Sequence, residues 1–327
     1  MELLRIVSMM MVLAVHIDGA SLGFPRLEGN VGAATGRDVW ILLWESFTII
    51  GVNCFTLISG YFGINLKWKS VGKYLFECIF YSVGIFTLMC FYRPELFSWG
   101  KWWESWLVLT HTDLWYVPAY FILMLLAPFI NAGFSHLSQR QAYVLTGAFL
   151  AYNLWAGWWW DGGFNPTGYT PVQLILMYMI GRCVAMAMKD VIKNRGIRLN
   201  ILVFSMGLYL IFTVITFFYS CLNPLKAYAY NSPFVIGSSV AFFMIFLSMD
   251  SRSRFVNYAA KSAFAVYLIH KAPPVWGGVL KPTVVAMWQS TSLGTFTLYA
   301  LILIIVIYAI CMLIDIFRRK ISSLLFR

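Results

Sequence analysis

Long apolar runs separated by short polar loops dominate the chain. Stretches near the roughly 20 residues that a helix needs to cross a bilayer occur at 4–23, 40–64, 71–92, 113–134, 141–160, 169–188, 199–219, 232–249, 262–280 and 295–317. The pattern predicts an all-α polytopic bundle of about ten transmembrane spans. The first run is short, and Pro273-Pro274 interrupts the ninth. The stretch from Trp99 to Leu109 is too short to span and rich in tryptophan, which predicts an interfacial segment, and Trp158-Trp159-Trp160 marks a second boundary. No loop is long enough to fold as a second domain and no internal repeat is visible, so residues 1–327 read as one integral-membrane domain.

Composition strengthens this reading. Of the 327 residues, 61% are hydrophobic and 11% charged, against about 25% charged in an ordinary soluble domain. A water-soluble core could not cover that much apolar surface, so lipid must. Six cysteines (Cys54, Cys78, Cys90, Cys183, Cys221 and Cys311) are scattered through apolar runs without a C-x-x-C pair, which points neither to a disulfide framework nor to a zinc site. A cleaved signal peptide is not expected, because Glu2 offsets Arg5 and the apolar stretch contains Ser8 and ends at His16.

Charge then sets the expected orientation. Sixteen of the 24 lysines and arginines fall at the two termini and in loops 2/3, 4/5, 6/7 and 8/9, among them Lys193, Arg254 and Lys261. The positive-inside rule places those loops and both termini in the cytoplasm, which requires an even number of spans. The net charge of +11 is mostly this topology signal, and nucleic acid is not an expected partner.

Polar residues inside apolar runs carry the functional information, because a charged side chain at mid-helix costs at least about 2.5–3.5 kcal/mol on insertion scales. Arg5 and His16 lie about 16 Å apart along the first helix and within roughly 20–40° of one face. A neutral imidazole suits a general base and an arginine fork suits phosphate. A packing histidine and a topology arginine would show the same spacing, so the residues alone leave both readings open. Glu45 falls near the depth of His16, where a carboxylate could orient an imidazole, or face water at the interface. Glu77, near Lys73, reads as a paired or snorkelling charge. Arg182 lies in the inner third of its span, placed to bind an anion or to snorkel, and His270-Lys271 sits within the ninth run. His111 and Asp113 stand at the outer mouth of the fourth, which Pro118 and Pro128 should distort.

Four segments together resemble acyltransferase family 3, a family of membrane acyltransferases. They are the Arg5–ten residues–His16 spacing; the run Gly51-Val52-Asn53-Cys54-Phe55-Thr56-Leu57-Ile58-Ser59-Gly60-Tyr61, similar to G-V-x-x-F-F-x-x-S-G-[FY]; Leu114-Trp115-Tyr116-Val117-Pro118, similar to an L-W-[FY] segment; and Tyr267-Leu268-Ile269-His270, similar to a late Y-L-x-H. The resemblance covers essentially the whole chain. It implies transfer of an acyl group, usually acetyl, from cytoplasmic acyl-CoA to a hydroxyl of a surface glycan or its lipid-linked precursor. It makes His16 the catalytic residue and Arg5 a donor contact. Where many members carry arginines after span two, this chain has Lys67, Lys69 and Lys73, which lack bidentate forks.

The combined expectation is an acyl-CoA-dependent O-acyltransferase in a bacterial cytoplasmic membrane. Its partners are lipid, acyl-CoA as co-substrate and a carbohydrate acceptor, with no metal. Arg5, Lys67, Lys69, Lys73 and Arg182 would meet the donor. His16 would act as base, oriented by Glu45. Asn53, Ser59, Tyr61, His111, Trp115, Tyr116 and His270 would shape the acceptor pocket. Helices broken by proline would also suit a transporter of a glycan or small solute, but the chain shows no paired halves and few intramembrane carboxylates for ion coupling.

Overall fold

The computed structural model describes residues 1–25, 27, 32, 34–110, 113–160, 163–249 and 253–326, and these form helices and connections with no strand among them. Among the described residues, seven helical stretches are long and apolar enough to cross a bilayer: Glu2–Leu22, Gly36–Phe62, Trp68–Tyr92, Tyr116–His136, Pro171–Met188, Arg195–Ser220 and Leu293–Leu325. The first comprises α1 (Glu2–Ile17) and α2 (Gly19–Leu22), broken at Asp18. The second comprises α3 (Gly36–Thr48) and α4 (Gly51–Phe62). Then follow α5 (Trp68–Tyr92), the short α6 (Trp99–Glu104), α7 (Tyr116–His136), α8 (Gln139–Tyr152), α9 (Pro171–Met188) and α10 (Arg195–Ser220). The last third holds α11 (Pro224–Ala227), α12 (Pro233–Ser248), α13 (Arg254–Ala260), α14 (Ala263–His270), α15 (Pro273–Val275), α16 (Lys281–Ser290) and α17 (Leu293–Leu325).

Local chemistry sets the helix starts. Thr35 and Asp38 form a capping box at α3, and Ser138 with Gln141 forms another at α8. Proline opens α9, α11, α12 and α15, where the missing N–H costs no helical bond.

Three of the ten predicted runs are not among these seven stretches. The run at 141–160 is the 14-residue α8 continued by a wider π-helical turn over Asn153–Trp159. The run at 232–249 is the 16-residue α12, about 24 Å of helix against a hydrocarbon core of about 30 Å. The run at 262–280 stops at His270 and restarts at Pro273, because two prolines remove the donors that would continue α14.

The second span is the centre of the bundle: 67% of its apolar window is buried, against 17% for α5 and 22% for α10, which present most of their surface outward. Missing side chains bring its neighbours close. A Cβ on Gly51 would stand 2.6 Å from the Ser8 carbonyl oxygen of α1, and one on Gly60 only 2.2 Å from that of Tyr178 on α9. Small residues that let backbones touch are how helices pack without a hydrophobic drive between them. The glycines of the Gly51–Tyr61 run are therefore packing positions, and they hold α4 between α1 and α9.

A buried ionic cluster ties α17 to α5. Arg318 donates to Asp315 at 2.7 Å and reaches Glu77 at 3.3 Å, and the Tyr81 hydroxyl donates to Asp315 at 2.8 Å. Glu77, expected to snorkel or pair, is paired across helices with Arg318.

Candidate active site

Helical spacing puts Arg5, Met9, Val12 and His16 on one stripe of α1, and that stripe walls a cavity of about 340 Å³. Val52, Phe55 and Ser59 of α4 form the opposite stripe. Tyr74 of α5, the Trp115-Tyr116 pair with Tyr120 of α7, and the stretch around Lys261 and Tyr267 complete it. α14 runs alongside α1 with His270 meeting His16, so Lys261 falls toward the Arg5 end. The cavity thus has cations at one end, an aromatic middle and an imidazole at the other end.

Two hydrogen bonds fix the state of that imidazole. His270 Nδ1 lies 2.6 Å from the Val266 carbonyl oxygen. A carbonyl can only accept, so in the neutral ring Nδ1 carries the proton and Nε2 bears the lone pair. His270 Nε2 lies 2.8 Å from His16 Nδ1, so His16 Nδ1 must donate. The proton assignment follows from this network, since neither hydrogen is located directly. His16 Nε2 is left as an unprotonated, basic nitrogen with no hydrogen bond among the described residues. Trp276 packs its ring 5.4 Å from the His16 ring, and the Lys271 ammonium lies 4.2 Å from the centre of the Trp276 ring.

Glu45 is buried near this end, but its carboxyl faces that of Asp18, which is also buried. Among the described residues no carboxylate bonds to His16, whose Nδ1 is taken by His270. Asp18 follows His16 by two positions and was not singled out in the sequence.

A buried amide network holds the far wall. Gln173 Nε2 donates to the Tyr230 carbonyl oxygen at 2.8 Å, and Asn53 Nδ2 donates to the same oxygen at 3.0 Å. Asn165 Nδ2 donates to Asn153 Oδ1 at 2.7 Å, and Asn231 Nδ2 donates to the Asn165 carbonyl at 2.6 Å. These bonds fix the buried segment Tyr228–Ser232, whose Tyr230 ring lines the cavity beside Trp115 and Tyr169. Asn53 therefore acts on the cavity through Tyr230, with its own side chain turned to this network.

Of the other residues expected at the site, Ser59 lines the cavity 3.1 Å from the Tyr120 hydroxyl, and Trp115 and Tyr116 line it directly. Tyr61 packs against Phe62 and Phe243. Lys67, Lys69 and Lys73 stand exposed at the start of α5, and the adjoining Tyr74 reaches the cavity. Arg182 lies against Gly63 at the end of α4, with Nε buried and without a hydrogen bond among the described residues. His111 lies outside the described residues. Arg5 reaches the cavity while paired with Glu2 at 2.6 Å. Lys261 was legible only as one of the cytoplasmic-side charges, and nothing in the sequence marked Tyr230 or Tyr267 as cavity walls beyond the latter's place in the Y-L-x-H segment.

A family model described as an acyltransferase domain matches residues 1–316. No curated protein and no solved structure matches the chain.

Proposed function

The chain belongs to acyltransferase family 3, and from that membership we propose that it is an acyl-CoA-dependent O-acyltransferase of a bacterial cytoplasmic membrane that acylates a carbohydrate hydroxyl, acetyl being the expected acyl group. The observation that carries this reading is the free, basic Nε2 of His16 at one end of a cavity whose other end holds Arg5 and Lys261. In this reading the Arg5 end faces the cytoplasm, where acyl-CoA is found, as the positive-inside rule favours for the basic loops.

In this proposal the CoA phosphates rest near Arg5 and Lys261, with the lysines at the start of α5 adding a general positive field and Arg182 in reserve at the end of α4. The pantetheine arm lies along the Phe55, Tyr74 and Tyr120 wall and brings the thioester to His16. The acceptor hydroxyl gives its proton to His16 Nε2 as its oxygen bonds to the thioester carbon. The carbon–sulfur bond breaks, the thiolate takes that proton from the imidazolium, and an ester and free CoA result. No acyl-enzyme is required. His270 orients the base: its Nε2 accepts from His16 Nδ1 throughout, and it favours the imidazolium while the proton is held. We assign this role to His270 rather than Glu45 because of the 2.8 Å contact. Tyr267, whose ring centre lies 6.2 Å from that of His270, lines the same cavity, and we assign its hydroxyl as a donor to the developing oxyanion.

Inside-out vesicles containing the protein, given labelled acetyl-CoA, test the proposal. Label should pass into a base-labile ester on membrane carbohydrate. Failure of acetyl-CoA to bind, or binding without CoA release in the presence of the cell's glycans, would contradict it.

A further inference from the structure

Beside the first cavity lies a second of about 650 Å³. Its walls are the same segments seen from the other side. On α5, Tyr74 faces the first cavity and Cys78 and Tyr81 the second; before α7, Trp115 faces the first and Leu114 the second; on α14, Tyr267 faces the first and Leu268 the second. His270, the residue that holds His16, stands between Leu268 and Ala272, which both line the second cavity.

The lining divides by chemistry. Ile85, Phe86 and Met89 offer a hydrocarbon wall along α5. Lys101 and Glu104 of α6 and Asp113 are exposed polar groups of the same cavity. α6 itself carries exposed Trp99 and Trp103, the residue type that settles where lipid meets water. Two carboxylates line it beside one ammonium, with Lys271 in electrostatic reach of Asp113, and this mixture of acceptors and donors suits a hydroxyl-rich head, whose O–H groups donate to carboxylates and accept from lysine. An apolar wall leading away from such a group of residues suits a chain attached to that head.

We propose that this second cavity is the acceptor site, and that its occupant is a carbohydrate carried on a lipid chain, the sugar among Lys101, Glu104 and Asp113 and the chain along Ile85, Phe86 and Met89. The assignment rests on the transferase reading above for its purpose. Its ligand chemistry is tested separately. In this proposal the sugar reaches His16 past the Leu114–Tyr116 and Tyr267–Leu268 segments, whose residues line both cavities.

The full-length protein in lipid vesicles is exposed to dodecyl maltoside bearing a diazirine midway along its chain, irradiated, and the labelled residues are mapped by mass spectrometry. Dodecanol with the same diazirine and diazirine-bearing maltose without a chain serve as separate probes. The alkyl maltoside should label α5 between Ile85 and Met89, and unlabelled dodecyl maltoside should compete. The double variant Glu104→Ala/Asp113→Ala should lower labelling about tenfold, and Ile85→Trp, which fills the hydrocarbon wall, should do the same. Equal labelling by the dodecanol probe would reduce the cavity to an ordinary lipid crevice and overturn the proposal. Equal labelling by chain-free maltose would overturn the lipid-borne acceptor, as would indifference to the double variant. Acetyl-CoA affinity is measured on the same vesicles and should be unchanged in both variants. A wild-type protein that binds no acetyl-CoA would fail the transferase reading, while the labelling pattern would still decide whether a glycolipid binds here.

Discussion

His16 Nδ1 and His270 Nε2 lie 2.8 Å apart, 254 positions apart in the chain. Because His270 Nδ1 is committed to the Val266 carbonyl, this contact has only one donor arrangement for neutral rings, and it leaves His16 Nε2 basic. Two short helices, one opening the chain and one ending at a proline break, thereby specify a tautomer.

If His270 positions the base as proposed, replacing it should reduce turnover without affecting donor binding. His270→Ala should lower kcat by about 10–100-fold, a fraction of the 10²–10⁴-fold that general-base help supplies. His270→Gln should recover part of the loss, because its amide oxygen can accept from His16 Nδ1. Acyl-CoA affinity should hold in both. A merely structural role would lower the melting temperature of both variants and leave no rescue by glutamine.

The pH profile gives an independent sign. A protonated imidazole cannot accept the hydroxyl proton, so transfer should be slow at acid pH and rise to a plateau as His16 loses its proton. The residual rate of a folded His16→Gln protein should lack that limb. Stopped-time assays across pH with acetyl-CoA saturating would show it, and an identical rising limb in His16→Gln would assign the titration to another group.

At the opposite end, Arg5→Ala and Lys261→Ala should each weaken acetyl-CoA binding by about tenfold, with the difference shrinking as salt rises. Acetyl-pantetheine, which lacks the nucleotide and its phosphates, should bind all three proteins alike. Equal weakening toward both ligands would mean that these residues support the fold and do not meet phosphate.

Packing of the central span predicts a sharp contrast between glycines. Gly60→Ala puts a Cβ 2.2 Å from the Tyr178 carbonyl oxygen, whereas the space around Gly84 is open. Gly60→Ala should destabilise by about 1–3 kcal/mol, the usual cost of overpacking, and Gly84→Ala should leave the melting temperature at or above that of wild type. Thermal denaturation in detergent micelles measures both.

What the sequence made legible follows from which physics is local. The Arg5 and His16 stripe, the helical class and the apolar runs depend on residues close in the chain, and helical periodicity reports them. Depth along a helix is also readable, which is why Glu45 was matched to His16. Azimuth between two helices is not, and in the structure Glu45 turns to Asp18. Helix length is not readable from apolar runs alone: α12 is 16 residues long and packs inside the bundle, with Val235 and Phe243 fully buried. The segment holding Tyr230 was invisible because its burial depends on amides from four separate stretches, Asn53, Asn153, Asn165 and Gln173. Lys261 looked like any loop lysine until α14 laid it along α1.

Transfer by His16→Ala is the most direct measurement. The wild-type and variant proteins are reconstituted in inside-out vesicles, and acetyl-CoA binding, melting temperature and label incorporated into membrane carbohydrate are measured on the same preparations. His16→Ala should remain folded, bind acetyl-CoA as wild type does, and lose transfer by about 10²–10⁴-fold. A folded His16→Ala protein that binds acetyl-CoA and acylates carbohydrate at near the wild-type rate would contradict the assignment of His16 as the base.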